Sequence, residues 1–176
     1  MGSASRRRVV WKNVRDFKSV FVVWLATASG AGLAPVGPGT MGTLVGIPLA
    51  YWTQGASTPM RILFWLGLFL LGTWAAQLFD EMMETQDNQC IVIDEVVGMG
   101  VTAWTAGEDL KTWVCAFLVF RVLDILKPPP IGKVDRWSKS RTSRGWGGFG
   151  VMADDLVAAL EGLAIVILLQ KLKFLA

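Results

Sequence analysis

Residues 62–79 read ILFWLGLFLLGTWAAQLF, eighteen consecutive positions without an Asp, Glu, Lys or Arg. At a rise of about 1.5 Å per residue, a helix of this length extends for about 27 Å, close to the thickness of the hydrocarbon core of a bilayer. Positions 19–60 also carry no charged side chain. The chain is therefore predicted to be a membrane protein.

The composition of the whole chain agrees with that prediction. Of 176 residues, 53% are hydrophobic and 18% are charged, and the mean hydropathy is +0.47. An ordinary soluble domain is less apolar and more highly charged. We expect an all-α fold, a polytopic membrane helical bundle of about four to six apolar helices, with residues 19–176 as one domain after a basic arm at residues 1–18. The predicted helices cover about 19–33, 41–52, 61–79, 90–106, 110–127 and 154–171.

The positive charge is concentrated in two places, the N-terminal arm and residues 127–144. Both clusters flank apolar segments, and no nucleic-acid-binding motif accompanies them, so anionic membrane lipids are the expected partner and nucleic acid is not. Basic flanks stay on the cytoplasmic side of a membrane. The sequence therefore predicts a cytoplasmic N-terminus and a cytoplasmic 127–144 loop.

Five carboxylates interrupt or border the apolar stretches: Asp94, Glu95, Asp124, Asp154 and Asp155. A charge near the bilayer centre costs about 2.5–3.5 kcal/mol on insertion scales, so such groups face the bundle interior and have a partner. Several acids together suggest a shared cation. Two simpler interpretations stay open, since Asp94 and Glu95 could form an interfacial first turn, and Asp154 and Asp155 could cap a helix.

The sequence contains no histidine and only two cysteines, Cys90 and Cys115, which lack metal-binding spacing. This excludes a histidine nucleophile, a Ser-His-Asp triad and imidazole-bound zinc. Carboxylates without imidazole or paired thiolates suit a hard cation, and Mg²⁺ is the first choice.

Two further elements suit phosphate. Arg121 and Lys127 lie three residues to either side of Asp124, so both cations could hold phosphate oxygens while Asp124 binds a metal. The glycine-rich residues 38–43 offer Gly39 and a predicted helix N-cap at Thr40, where free N–H groups favour an anion. The alternatives are an intrahelical ion pair in the first case and an ordinary capped helix in the second.

Four blocks in this order resemble the phosphatidylglycerophosphatase A family: residues 32–43, 94–99, 120–131 with Asp135 and Arg136, and 147–155. Gly37 and Thr43 depart from the pattern, since Ala and Ser are expected there. The resemblance implies an all-helical, Mg²⁺-dependent lipid phosphatase that hydrolyses the terminal phosphomonoester of phosphatidylglycerophosphate to phosphatidylglycerol. It also implies a multi-pass protein of the bacterial cytoplasmic membrane whose active site faces the cytoplasm. No obligatory protein partner is inferred.

For this chemistry the expected roles are as follows. Mg²⁺ is held by Asp94, Glu95, Asp124, Asp154 and Asp155; catalysis depends on Glu95, Asp94 and Asp124; the substrate phosphate is bound by Thr40, Gly39, Arg121 and Lys127. Glu95 acts either as a ligand or as the base that takes a proton from the attacking water. A covalent aspartyl-phosphate route through Asp94 or Asp124 is the alternative, although the usual Asp-x-Asp-x-Thr/Val arrangement is missing.

Two other functions remain open at this point. A small cation or proton carrier would also bury acids, but it leaves Arg121, Lys127 and the 38–43 loop unexplained. Another metal-dependent phospholipid head-group enzyme, such as a CDP-alcohol phosphotransferase, would carry an Asp-Gly-x-x-Ala-Arg signature, which this sequence lacks.

Overall fold

The computed structural model describes residues 9–140 and 147–175, and within them all regular structure is helical. The α-helices are α1 (Phe17–Ala26), α2 (Pro38–Thr53), α3 (Thr58–Met83), α4 (Ile93–Thr102), α5 (Leu110–Leu126), α6 (Ile131–Ser140) and α7 (Gly147–Lys171). Two short 3₁₀ turns, Trp11–Asn13 and Ala31–Leu33, precede α1 and α2. The predicted all-α fold is confirmed.

Helix α3 contains the uncharged stretch and is longer than predicted. Ser57 precedes it in an extended conformation, a proline lies in its first turn, and Glu84 ends it with a left-handed φ of 54°. Among the described helices, α3 alone is long and apolar enough, by length and composition, to cross a membrane. Trp65 and Phe69 are buried, whereas Leu63 and Leu70 on other faces are exposed.

The ten-residue helix α4 lies at the centre of the fold, in contact with α2, α3, α5 and α7. Glycines on α2 allow this helix to approach α4 closely. A Cβ atom added to Gly42 would lie 2.7 Å from Cβ of Val92, and one added to Gly46 would lie 2.9 Å from Cβ of Met99. The small-residue pair therefore serves helix packing, as its spacing indicates.

The fit around α4 predicts that Gly100→Ala destabilises the protein. A Cβ atom at Gly100 would overlap the six-membered ring of the buried Trp65, and overfilling a packed core costs about 1–3 kcal/mol. Thermal unfolding in detergent should show a lower Tm for Gly100→Ala than for the wild type. Gly67→Ala is the matched control, because Gly67 on α3 has open space around its Cβ position. An equal Tm for Gly100→Ala and the wild type would contradict the packing described here.

Long-range contacts hold other parts of the chain at the two ends of α3. Near the C-terminal end of α3, Nδ2 of Asn13 donates to the carbonyl of Met82 at 2.6 Å, which fastens the described part of the basic arm there. Residues 1–8 of the predicted arm lie outside the described residues. At the opposite end of α3, Nη2 of Arg61 donates to the carbonyl of Trp104 at 2.7 Å, and its guanidinium lies over the indole ring.

Several predicted helix limits are wrong. Helix α1 ends at Ala26 and not near Leu33, and α6 (Ile131–Ser140) lies within the predicted 127–144 loop. Helix α7 begins at Gly147 rather than near Asp154, because Gly148 packs directly against the backbone of Thr73 on α3 and so belongs to a helix contact. Helix α2 begins three residues earlier than predicted, with Gly37 as its N-cap and Pro38 in its first turn, so the predicted N-cap at Thr40 is wrong. Helix α4 is shorter than the predicted 90–106.

Candidate active site

A cavity of about 370 Å³ opens where the start of α2, the start of α4, the end of α5 and the first part of α7 meet. All the predicted site residues except Thr40 line it: Gly39, Asp94, Glu95, Arg121, Asp124, Lys127, Asp154 and Asp155. These residues are as far apart as 116 positions in the sequence, and the fold brings them to one place. Thr40 lies in the first turn of α2, beside this cavity's wall.

Three of the acids form a group that could hold a metal ion. One carboxylate oxygen each from Asp94, Glu95 and Asp155 lies within 4.8 Å of the other two. Within the described part of the chain, Oε2 of Glu95 and Oδ2 of Asp155 are buried and accept no hydrogen bond. Buried carboxylate oxygens without donors are costly unless a cation compensates them. This donor set therefore fits a hard divalent cation such as Mg²⁺.

Helix position explains how these acids meet. Asp94 and Glu95 occupy the first turn of α4, where the helix dipole favours negative charge. Asp154 and Asp155 lie two turns inside α7 instead of at its start, and both are buried. They are therefore interior groups facing α4, and the interpretation of them as simple helix caps is wrong.

Asp124 is held by a cation on its own helix. Nη1 of Arg121 lies 2.7 Å from Oδ2 of Asp124 and 3.8 Å from Oε1 of Glu95. The same Nη1 is 3.4 Å from Oγ1 of Thr43 on α2. Arg121 thus joins α5 to both α2 and α4, and Asp124 fixes its guanidinium at the edge of the cavity.

Lys127 forms a second cationic position. Its Nζ donates to Oδ1 of Asp135 at 2.9 Å and to Oδ2 of Asp154. Lys127 itself ends α5 in the left-handed conformation, with φ of 43°, just before the proline run. Its position depends on α6, which turns Asp135 back towards the cavity.

Burial and neighbouring charges shift the pKa values of the acids and of Lys127 in the cavity. Burial, followed by repulsion from Asp155 and Asp124, raises the pKa of Glu95 to about 8 against the opposing influence of Asp94 and Arg121. Burial and the adjacent Glu95 raise the pKa of Asp94 well above its usual range. Burial disfavours the charged form of Lys127, but Asp154 outweighs it and raises the pKa of Lys127. Without a cation, Asp94 and Glu95 therefore favour their protonated forms, while Lys127 stays charged.

Gly39 is a close contact in the wall of the cavity. A Cβ atom there would overlap Oε1 of Glu95 and would lie 3.2 Å from Nη1 of Arg121. The start of α2 therefore approaches the acids and the guanidinium as closely as backbone can. The predicted phosphate contact of Gly39 fits this position, and the one predicted for Thr40 stays a prediction.

The loop that follows α3 contributes to the cavity wall, although no pattern in the sequence indicates it. Asp80 is only 8% exposed, and its carboxylate accepts hydrogen bonds from Oγ1 of Thr85 at 2.7 Å and from the backbone N–H groups of Asp87 and Asn88 at 2.8 and 3.1 Å. This arrangement places residues 87–89 on the cavity wall. The burial of Asp80 gave no sequence signal, because acidic residues after an apolar helix are usually solvated.

Thr43 and Asp135 were also missed as members of the site. Thr43 is fully buried, and its hydroxyl donates to the carbonyl of Gly39 at 2.9 Å while facing Arg121. Oδ1 of Asp135 accepts a hydrogen bond from Nζ of Lys127, on the other side of the proline run at residues 128–130. The contact of Thr43 with Arg121 and that of Asp135 with Lys127 do not follow a helical periodicity, so sequence spacing could not predict them.

Comparison with known proteins identifies the family of the chain. The family model for phosphatidylglycerophosphatase A matches residues 24–170. Phosphatidylglycerophosphatase A of Escherichia coli is 35% identical over 146 residues, covering 81% of this chain and 79% of the relative. The Haemophilus influenzae protein of the same name is 33% identical over 148 residues, covering 83% and 86%. No solved structure matches the chain. The matched region contains the whole cavity, and the chain belongs to the phosphatidylglycerophosphatase A family.

Proposed function

We propose that this protein hydrolyses the terminal phosphomonoester of phosphatidylglycerophosphate, releasing inorganic phosphate and phosphatidylglycerol. One observation carries the proposal: a cavity that combines three clustered carboxylates with two cations, each held in place by its own acid. Hydrolysis of a phosphomonoester needs positive groups for its oxygens and a route for activating water. The two cations and the clustered carboxylates support these two roles. The names of the relatives supply the lipid.

The cation that fits the site is Mg²⁺, held by Asp94, Glu95 and Asp155, with Asp124 and Asp154 close enough to support the site. When bound, it would neutralise charge on the phosphoryl group and make water easier to deprotonate. The chain's own residues do the remaining work. Arg121 and Lys127 orient the phosphate oxygens, and their partners Asp124 and Asp135 hold them in position.

The proton transfers follow from the same groups. Water attacks phosphorus, the bond from phosphorus to the glycerol oxygen breaks, and the ionised carboxylate of Glu95 accepts the proton from the water. The departing glycerol oxygen takes up a proton from solvent water, and Glu95 returns its proton to the solvent, so that phosphatidylglycerol and inorganic phosphate leave with the protons in balance. Because the pKa of Lys127 is raised, this residue serves as a fixed positive charge and not as the acid.

We further propose a multi-pass membrane protein whose cavity faces the cytoplasm. Five exposed basic residues of the described chain surround the cavity end of the bundle: Lys12, Arg15, Lys18, Lys133 and Arg136. Three, Lys111, Lys171 and Lys173, are exposed at the other end. This asymmetry supports a cytoplasmic position for the cavity. Exposed leucines and valines along α5 and α7 support their contact with lipid beside α3.

A carrier function is less well supported by the positions of the charges. A pathway for ions needs polar groups spaced across the bundle. In the described residues, Asp80, Asp154 and Asp155 are buried at the cavity end, and beyond them Met99 and Phe120 are fully buried apolar groups. This arrangement fits a reaction site that opens at one end.

Phosphate release tests the proposed function. The purified protein in detergent is given phosphatidylglycerophosphate with Mg²⁺ or with a chelator, and inorganic phosphate is measured. We expect release with Mg²⁺ and none with the chelator. Phosphatidic acid serves as a control for head-group selection, and CMP formation from a CDP-lipid tests the phosphotransferase alternative. Failure to release phosphate from phosphatidylglycerophosphate, or formation of CMP, would overturn the proposal.

Metal binding is expected to release protons in a pH-dependent manner. Ligand carboxylates must be ionised, and the pKa of Glu95 is raised to about 8. Lowering the pH below 8 should therefore weaken Mg²⁺ binding by about tenfold per unit for each proton displaced. Calorimetry in buffers of different ionisation enthalpy measures this, with at least about one proton released at pH 7 and fewer at pH 9. Affinity that does not change between these pH values would contradict the expectation.

A further inference from the structure

A second cavity, of about 690 Å³, lies between α2 and α5. Apolar side chains form most of its walls, among them Leu44, Ile47 and Tyr51 from α2 and Trp113, Phe117 and Leu118 from α5. Leu44 and Leu118 are exposed at its sides, so the cavity is a groove open to the surroundings of the bundle. We name it the α2–α5 groove.

The α2–α5 groove begins where the candidate active site ends. Helix α2 starts at the active-site cavity and α5 finishes there, and the contact between Thr43 and Arg121 joins the two helices at 3.4 Å. The next residue on α2 is Leu44, and Leu118 lies about one turn before Arg121 on α5. In phosphatidylglycerophosphate two glycerol units and a phosphodiester separate the terminal phosphate from the acyl chains. A headgroup that fills the active-site cavity can therefore leave an acyl chain at the head of the groove.

The length of the groove suits one acyl chain. From Leu118 to Leu110 the helix rises by about 12 Å at 1.5 Å per residue. One leaflet of a bilayer has a hydrocarbon depth of about 15 Å, which is the reach of one lipid tail. At the far end, the rings of Tyr51 and Trp113 meet with centroids 6.1 Å apart. The groove therefore begins beside the active-site cavity, and its length is close to the reach of one lipid tail.

The groove would act by orienting the lipid more than by attracting it. A lipid tail is already in an apolar environment, so moving it against leucine and phenylalanine gains little transfer free energy. Fixing the direction of the tail restricts where the phosphate can lie, and accurate placement of a reacting group accelerates a reaction strongly. An acyl chain in this groove would bring the phosphate towards Arg121.

We propose that the α2–α5 groove seats one acyl chain of the phospholipid substrate and thereby positions its phosphate in the active-site cavity. This inference rests on the proposed function and adds the part of the substrate that the groove binds. It predicts that the enzyme distinguishes a long-chain substrate from the same head group without chains.

Leu118→Trp tests the proposal by filling the groove. Its control is Leu70→Trp on α3, since the two leucines have similar exposed fractions of 55% and 58% and Leu70 lies outside the groove. For Leu118→Trp we expect kcat/KM to fall about tenfold, or about 1.4 kcal/mol, with the long-chain substrate. With deacylated glycerophosphoglycerophosphate it should change less than about twofold, and Leu70→Trp should alter neither value.

The outcomes separate this inference from the proposed function. If the wild type releases phosphate from neither substrate, the proposed function fails and the groove proposal fails with it. If the wild type is active but Leu118→Trp leaves the long-chain value unchanged, only the groove proposal is overturned. The groove proposal is also overturned if Leu118→Trp lowers kcat/KM equally for both substrates, or if Leu70→Trp lowers it as much as Leu118→Trp does.

A measurement that does not depend on turnover completes the test. A phosphatidylglycerophosphate analogue with a photoreactive diazirine in the middle of one acyl chain is cross-linked to the wild-type protein in detergent, and labelled peptides are identified. We expect labels on residues 44–51 and 110–118, and less label there in Leu118→Trp. Labels confined to α1 and α3, or to a contact between two copies of the chain, would overturn the proposal.

Discussion

Replacing Asp94 by asparagine is expected to lower kcat for phosphate release at least about 10³-fold, within the range associated with loss of a group that activates water. Asparagine has nearly the same shape but no charge, so it leaves the packing of α4 intact. The remaining carboxylates, Glu95 and Asp155, then hold a divalent cation too weakly for catalysis. Phosphate release from phosphatidylglycerophosphate under saturating Mg²⁺ measures the change.

The stability of the same variant distinguishes a reaction site from a structural ion pair. Without divalent cations, Asp94→Asn should be at least as stable as the wild type, because it removes one of several crowded carboxylates. With Mg²⁺ the wild type should gain in Tm through ligand binding, and the variant should lose that gain. Glu84→Gln is the matched control, since Glu84 is exposed at the end of α3. Full activity of Asp94→Asn would contradict the proposed mechanism.

The second large effect is expected for Gly39→Ala, which should lower kcat by about 10²-fold without unfolding the protein. The new methyl group would overlap Oε1 of Glu95 and approach Nη1 of Arg121. Both are the ends of flexible side chains, so they can move away at little cost to the fold. A displacement of about 1 Å at a reacting group is enough to cost about 10²-fold in rate.

For Gly39→Ala, activity and stability should therefore change independently. Alanine is better than glycine within a helix by up to about 1 kcal/mol, so the Tm should stay equal or rise. Gly67→Ala introduces the same methyl group into open space on α3 and should leave kcat unchanged. A Gly39→Ala variant with wild-type kcat would show that Glu95 and Arg121 do not need their present positions.

Much of the fold was accessible from the sequence because its signals are local. The uncharged run at 62–79 predicts α3, and the proline run after Lys127 predicts the end of α5, which the structure places at Leu126. The acids and cations of the site were likewise predictable, because a charge within an apolar stretch is costly wherever the chain folds. These predictions depend on composition and short spacing alone.

The rest depended on contacts between distant segments. Residues 147–150 contain three glycines and resemble a loop, but they are helical because Gly148 packs against α3. Asp80 resembles a solvated residue, but the loop after α3 folds over it. Thr43 and Asp135 meet their cations only after α2 and α6 are in place. No periodicity in one sequence carries such information.

The central position of α4 has a consequence for the biogenesis of the protein. A helix of ten residues is about 15 Å long, half of the hydrocarbon thickness, and with Asp94 and Glu95 in its first turn it cannot insert alone. Yet the ribosome delivers α4 before α5 and α7, the helices that cover it. Assembly must therefore keep α4 at the interface beside α3 until later helices arrive. A nascent chain that stops before Asp155 would lack the third carboxylate of the cluster.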